Sequence, residues 1–204
     1  MREALANMDG RAEDVPGAED APLRIPRVLE RNCRLARDTT AWLEALPATV
    51  HALARRWSLD VAPPFELGAA GLEGSCAWVA PVATAEGTPA VLKVGMPHSE
   101  GRDEAAGLRF WEGAGMVRLL RADEELGAML LERCVPGTPL RARPPDEQDR
   151  VIAELLPRLW RVPPEGAFRP LSDMIDAWVD GARERAGAAG SRTRACSRRG
   201  SRRS

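Results

Sequence analysis

Apolar residues first recur at helical spacing from residue 41, where Trp42, Leu43, Leu46, Val50, Leu53, Ala54 and Trp57 follow at three- and four-residue steps. Pro47 lies inside that run. Proline removes a backbone donor and crowds the preceding turn, so a break is expected there, with Pro47 opening a second helix. Past residue 60 the pattern changes to short apolar runs separated by Gly and Pro. This predicts strands over 64–69, 75–83 and 89–95, with Glu86-Gly87 in a hairpin turn. Helical spacing returns over 99–113, with Ser99 as the N-cap and Glu100 in the first turn. Two further strands, 116–121 and 127–133, flank an acidic turn at Asp123, Glu124 and Glu125.

After Pro136-Gly137 the chain reads as helix. Val151, Ile152, Leu155, Leu156 and Leu159 make one stripe, limited at its end by Pro157; Leu171, Met174, Ile175, Trp178 and Val179 make another. Residues 1–26 are polar and aperiodic and predict a disordered or poorly packed lead-in. Residues 181–204 lose apolar periodicity altogether. Strands, one helix and two more strands predict an α+β fold, a lobe over 27–134. The opening helices of a second lobe occupy 135–180, and a basic tail follows.

Charge sharpens that division. The formal net charge is −1, yet residues 181–204 carry eight arginines and one glutamate, leaving about −8 on the rest. Four cysteines (Cys33, Cys76, Cys134, Cys196) are widely spaced, with no C-x-x-C pair, and suggest neither a disulfide framework nor a zinc site. No apolar run approaches the ~18 residues of a membrane span, and the first 26 residues lack the apolar core of a signal peptide. A cytoplasmic setting is expected.

Lys93 is the sole lysine in the chain. In "AVLKV" it shares a strand face with Val91, while Leu92 and Val94 share the other. Glu104 falls among Ala105, Leu108 and Trp111 on the following helix, where an unpaired carboxylate would be costly, and Lys93 is the nearest partner in sequence. Lysine suits phosphate binding, as a compact point charge reaching from a strand. The plainer alternative is a solvated lysine and a helix-surface glutamate, worth ~0.2–1 kcal/mol as a pair. Upstream, Gly68, Gly71 and Gly74 punctuate "ELGAAGLEGSCAW". They would let backbone amides approach a phosphate, with Ser75 adding a hydroxyl; a plain hairpin turn accounts for them equally well.

The order of these features resembles the aminoglycoside and hydroxyurea resistance kinases of the streptomycin 6-phosphotransferase type. The segments "AWLEALPATVHALARRWSLDVAPPF" and "GTPAVLKVGMPHSEGRDEAAGLRFWEGAGMVRLLRADEELGAMLLERCVPGTPL" carry it, within residues 25–180. The resemblance implies a protein-kinase-like N-terminal lobe, a sheet that is mostly antiparallel plus one helix, and transfer of the ATP γ-phosphoryl to an antibiotic hydroxyl. It further implies that Lys93 binds the α- and β-phosphates, that Glu104 pairs with it, and that Glu132, Arg133 and Cys134 form the adenine-contacting linker. ATP and Mg²⁺ are the implied cofactors, and an aminoglycoside-type molecule the acceptor.

One departure stands out. The family's H-x-D-x-x-x-x-N loop orients the acceptor hydroxyl and binds metal, but neither His51 nor His98 begins such a segment. The expectation is a truncated, inactive chain with an incomplete helical lobe, its tail frameshifted near 181–190. Self-association through exposed apolar surface is expected with it. The alternatives are a residual nucleotide-binding module and an arginine-rich arm that binds nucleic acid by charge. The tail's lack of aromatic residues for base stacking counts against the arm.

Overall fold

The computed structural model describes residues 22–36, 39–65, 76–98 and 100–200. Five strands form one antiparallel sheet: β1 (Leu59–Val61), β2 (Ala77–Thr84), β3 (Pro89–Gly95), β4 (Leu119–Asp123) and β5 (Ala128–Glu132), in the spatial order β1-β2-β3-β5-β4. The helices are α1 (Arg27–Leu35), α2 (Thr40–Trp57), α3 (Glu104–Trp111), α4 (Pro145–Leu159) and α5 (Leu171–Gly200). A 3₁₀ turn over Glu100–Asp103 leads into α3, and another spans Leu140–Ala142. The architecture is α+β, as expected.

The alternation along β3 organises the sheet. Ala90, Leu92 and Val94 are fully buried, and the register aligns them with Val82, Ala80 and Trp78 on β2. Leu130 and Ala128 on β5 continue the same face. Leu29 and Cys33 of α1 and Leu46, Val50 and Leu53 of α2 complete this core. The opposite face carries the rows Val79–Lys93–Met129 and Pro81–Val91–Leu131. There Met129 and Leu131 pack with Ala105 and Leu108 of α3 in a smaller cluster.

Several elements depart from expectation. Pro47 does not break α2, which runs continuously through it. Interior proline costs about 3 kcal/mol, and burial of Leu46, Val50 and Leu53, at roughly 1.5–3 kcal/mol each, outweighs it. The helix α1 had no sequence expectation, because a polar run exposes only Leu29 and Cys33, one turn apart, to the core. At β1, Ala62 donates to the carbonyl of Pro81 at 3.0 Å. Proline has no N–H to return that bond, and the strand ends at Val61. The strand expected over 64–69 lies largely outside the described residues; its first two positions, Pro64 and Phe65, are not strand, although Phe65 N–H donates to Val79 O at 2.9 Å.

Leu23 and Ile25, near the end of the stretch read as poorly packed, pack against the core, and the buried indole of Trp78 donates to the Arg24 carbonyl at 3.0 Å. At the other end α5 continues through Gly200, across residues read as aperiodic. Proline is absent from 171–200, and its many Ala and Arg residues favour helix without needing an apolar stripe. Ile152, Trp160, Val162 and Ile175 are exposed along this helical part. Among the described residues no helix is long and apolar enough to cross a membrane.

Arg56 of α2 forms an ion pair with Asp123 at the end of β4. The Leu126 N–H donates to Asp123 Oδ1 at 2.9 Å. That bond, with help from Arg56 and against partial burial, holds the Asp123 carboxyl below the usual aspartate range.

Two expectations follow from this packing. Leu92→Ala should cost about 2–5 kcal/mol in urea unfolding. Leu120→Ala, at the exposed bulge between Leu119 and Arg121, should stay within about 0.5 kcal/mol. Equal losses would contradict the assigned faces. For Asp123, the unfolded chain takes up its proton first as pH falls, at about pH 4. Its stabilisation is therefore complete above that pH and disappears as pH falls through the lower folded-state value. The stability gap between wild type and Asp123→Asn should narrow below about pH 4; a gap constant down to acid unfolding would exclude this role.

Candidate functional site

The sheet face opposite the main core positions a charge. Lys93 stands in the middle of β3, flanked across the strands by Val79 and Met129. Its Nζ is hydrogen-bonded to Glu104 Oε1 in the first turn of α3, and the two groups form an ion pair. The side chains retain 24% and 36% exposure. The pair therefore stays in contact with solvent, and its direct contribution to stability is about 1 kcal/mol or less. Its significance is geometric: it fixes where an ammonium group sits.

The local sequence explains the approach of α3. Gly95 ends β3, and its N–H donates to the Gly127 carbonyl at 2.9 Å, closing the sheet beside the β4–β5 turn. Gly127 has φ +60, which glycine adopts without strain. The chain then turns through Met96, Pro97 and His98, and Gly101 N–H donates to His98 Nδ1 at 2.6 Å. Helix α3 is shorter than the 99–113 expected, because a 3₁₀ turn occupies its start and Glu112 closes it in the left-handed conformation. The proposed N-cap, Ser99, lies outside the described residues. Asp103 sits at the N-cap position but makes no side-chain capping bond.

A cavity of about 870 Å³ opens on this face and continues around the end of the sheet. Lys93, Glu104, Val79 and Met129 line it together with His98 and Arg102. The volume lies within the ~300–1,000 Å³ of small-molecule sites. Asp123, Glu124 and Glu125 at the β4–β5 turn line it too, so its charged groups are more numerous than is usual for such a pocket and carboxylates outnumber cations.

The other sequence-derived candidates are distributed differently. Gly71, Gly74 and Ser75 lie outside the described residues. Glu132 closes β5 opposite Ala90, three residues along β3 from Lys93, and ion-pairs with Arg118 at 3.9 Å. Arg133 places its guanidinium 5.9 Å from the centre of the Phe65 ring, which brings the segment after β1 beside the segment after β5. Cys134 is exposed. Glu132, Arg133 and Cys134 do not line the cavity. Among the described residues no three His, Cys, Asp or Glu side chains converge as metal ligands.

Contacts that sequence reasoning missed hold the outer side of α3. Trp111 Nε1 donates to the Leu159 carbonyl at 3.1 Å, Phe110 packs edge-on against Phe168 at 5.7 Å, and Arg169 Nε donates to Asp103 Oδ2 at 2.7 Å. The partners are 48 to 66 residues apart, and no local pattern signals them.

Known proteins resemble the chain over about seven-tenths of its length. Streptomycin 6-kinase of Streptomyces griseus is 41% identical over 141 residues, which are 69% of this chain and 44% of that protein. The streptomycin 6-kinase of Streptomyces glaucescens is 38% identical over the same length and shares. Hydroxyurea phosphotransferase of Kitasatospora aureofaciens is 37% identical over 149 residues, 72% of this chain and 42% of that protein. The chain thus spans less than half the length of these relatives. No solved structure matches it. The profile of one family matches residues 68–199, a range that holds Lys93, Glu104 and the contacts around α3, and the chain belongs to that family, the aminoglycoside/hydroxyurea antibiotic resistance kinases.

Proposed function

We propose that the protein is the nucleotide-holding part of an ATP-dependent phosphotransferase that acts on the hydroxyl of an antibiotic of the aminoglycoside type. The observation that carries this reading is the Lys93–Glu104 ion pair at the wall of the cavity, in a chain whose relatives are streptomycin and hydroxyurea kinases. Phosphoryl transfer needs little covalent chemistry from the protein; it needs the phosphates positioned and their charge balanced. A strand-borne ammonium meets both needs. Lys93 would bind the α- and β-phosphates while Glu104 keeps it from swinging away into solvent. Val79 and Met129, on either side of Lys93, would exclude water from that contact.

The segment of Glu132, Arg133 and Cys134 would pass the adenine, its backbone groups supplying the hydrogen bonds. This role needs the nucleotide to reach beyond the cavity, toward Phe65 and Arg133. ATP normally arrives with Mg²⁺, and the described residues supply no three-ligand cluster for the ion. The 204 residues also contain no H-x-D-x-x-x-x-N segment to orient the acceptor hydroxyl. The work proposed for this chain's own side chains is therefore binding and orientation of the nucleotide.

Titration calorimetry with ATP tests the reading. The wild type should bind, and Lys93→Ala should weaken binding by on the order of tenfold or more, the scale of a charge-assisted hydrogen bond to phosphate. No binding by the wild type would end the nucleotide reading. Equal affinity in the two proteins would remove Lys93 from the site.

A further inference from the structure

We infer that Arg169 is a positioning residue for the Lys93–Glu104 pair, acting through Asp103 and α3. Helix α3 has only eight residues, too few to hold its place through its own hydrogen bonds. Toward the sheet it buries just Ala105 and Leu108. Alanine contributes little area, so one leucine carries most of that attachment.

The rest of its hold comes from the chain after β5. Arg169 reaches Asp103, the residue next to Glu104, and both side chains of that pair are about two-thirds buried, at 29% and 35% exposure. Phe168 meets Phe110, and the Leu159 carbonyl accepts from Trp111. The turn beyond α3 is gripped as well: a Cβ on Gly115 (φ +86) would come within 3.1 Å of the Leu159 side chain. The helix is thus clamped between the sheet and the segment 155–169. Asp103 makes no capping bond to the helix backbone and is committed to Arg169. Releasing Arg169 frees the first turn of α3, the turn that delivers Glu104. The clamp exists whether or not nucleotide binds; only its importance for phosphate binding rests on the proposed function.

Because Lys93 is the sole lysine, its acetylation by a small acylating reagent can be followed at one peptide by mass spectrometry, apart from the α-amino group. An amine held against a carboxylate reacts more slowly than one released from it. Glu104→Gln should raise the rate about fivefold, the scale of one partly exposed ion pair. Arg169→Gln should raise it by a comparable factor, and Asp103→Arg combined with Arg169→Asp should return it toward wild type. Val82→Ala, in the core on the other face of the sheet, controls for general loss of stability; it should lower the unfolding midpoint and leave the Lys93 rate unchanged.

A wild-type rate in Arg169→Gln would overturn the inference. So would a rise in Val82→Ala equal to that in Arg169→Gln, or no response to Glu104→Gln, which would mean that the pair does not form. Failure of the wild type to bind ATP would sink the proposed function and leave these rates, and the clamp, unaffected.

Discussion

Everything about the site depends on a charge that β3 carries on one face only. Its even-numbered residues, Ala90, Leu92 and Val94, are sealed against α1 and α2, while Val91 and Lys93 on the other face meet α3. A slip of one residue would turn Lys93 into the main core, where an unpaired ammonium costs far more than any local gain. The packing of Leu92 and its neighbours thus sets the register, and the register aims the lysine. The ion pair with Glu104 does not build the fold; it uses the accuracy that the core provides.

The two faces of the sheet are held in unequal ways. The main core draws on two helices and three strands, with many side chains fully buried. The site face rests on a short helix, a four-residue buried cluster, and polar or aromatic contacts from the chain after β5. Locally weaker packing is where movement concentrates in folded proteins. The strand's place is set by the main core, whereas the helix's place depends on the clamp from the segment 155–169, so the two partners of the Lys93–Glu104 pair are positioned by different parts of the chain.

Much of this was legible in sequence where local chemistry is decisive. Strands β3 and β5 fall within the runs over 89–95 and 127–133, and β2 (Ala77–Thr84) overruns 75–83 by one residue, because Gly and Pro bracket apolar stretches of the right length. The Lys93–Glu104 contact was readable because a strand and the helix that follows it lie side by side, only eleven residues apart. Illegible features depended on distant partners. Pro47 stays helical because the core holds residues on both sides of it, and β1 ends where another strand offers a proline carbonyl. The clamp on α3 joins Asp103 to Arg169 across 66 residues of intervening chain. Neither arginine nor aspartate at those positions forms a motif.

Kinship and packing also draw on different parts of the chain. The family profile covers residues 68–199, which hold Lys93, Glu104, Asp103 and Arg169. Helices α1 and α2 and strand β1 lie before that range, yet α1 and α2 supply Leu29, Cys33, Leu46, Val50 and Leu53 to the core that fixes β3. A core position accepts different apolar residues if volume and pattern are kept, whereas the chemistry of a site does not. The placement of Lys93 therefore rests in part on packing supplied from outside the matched range.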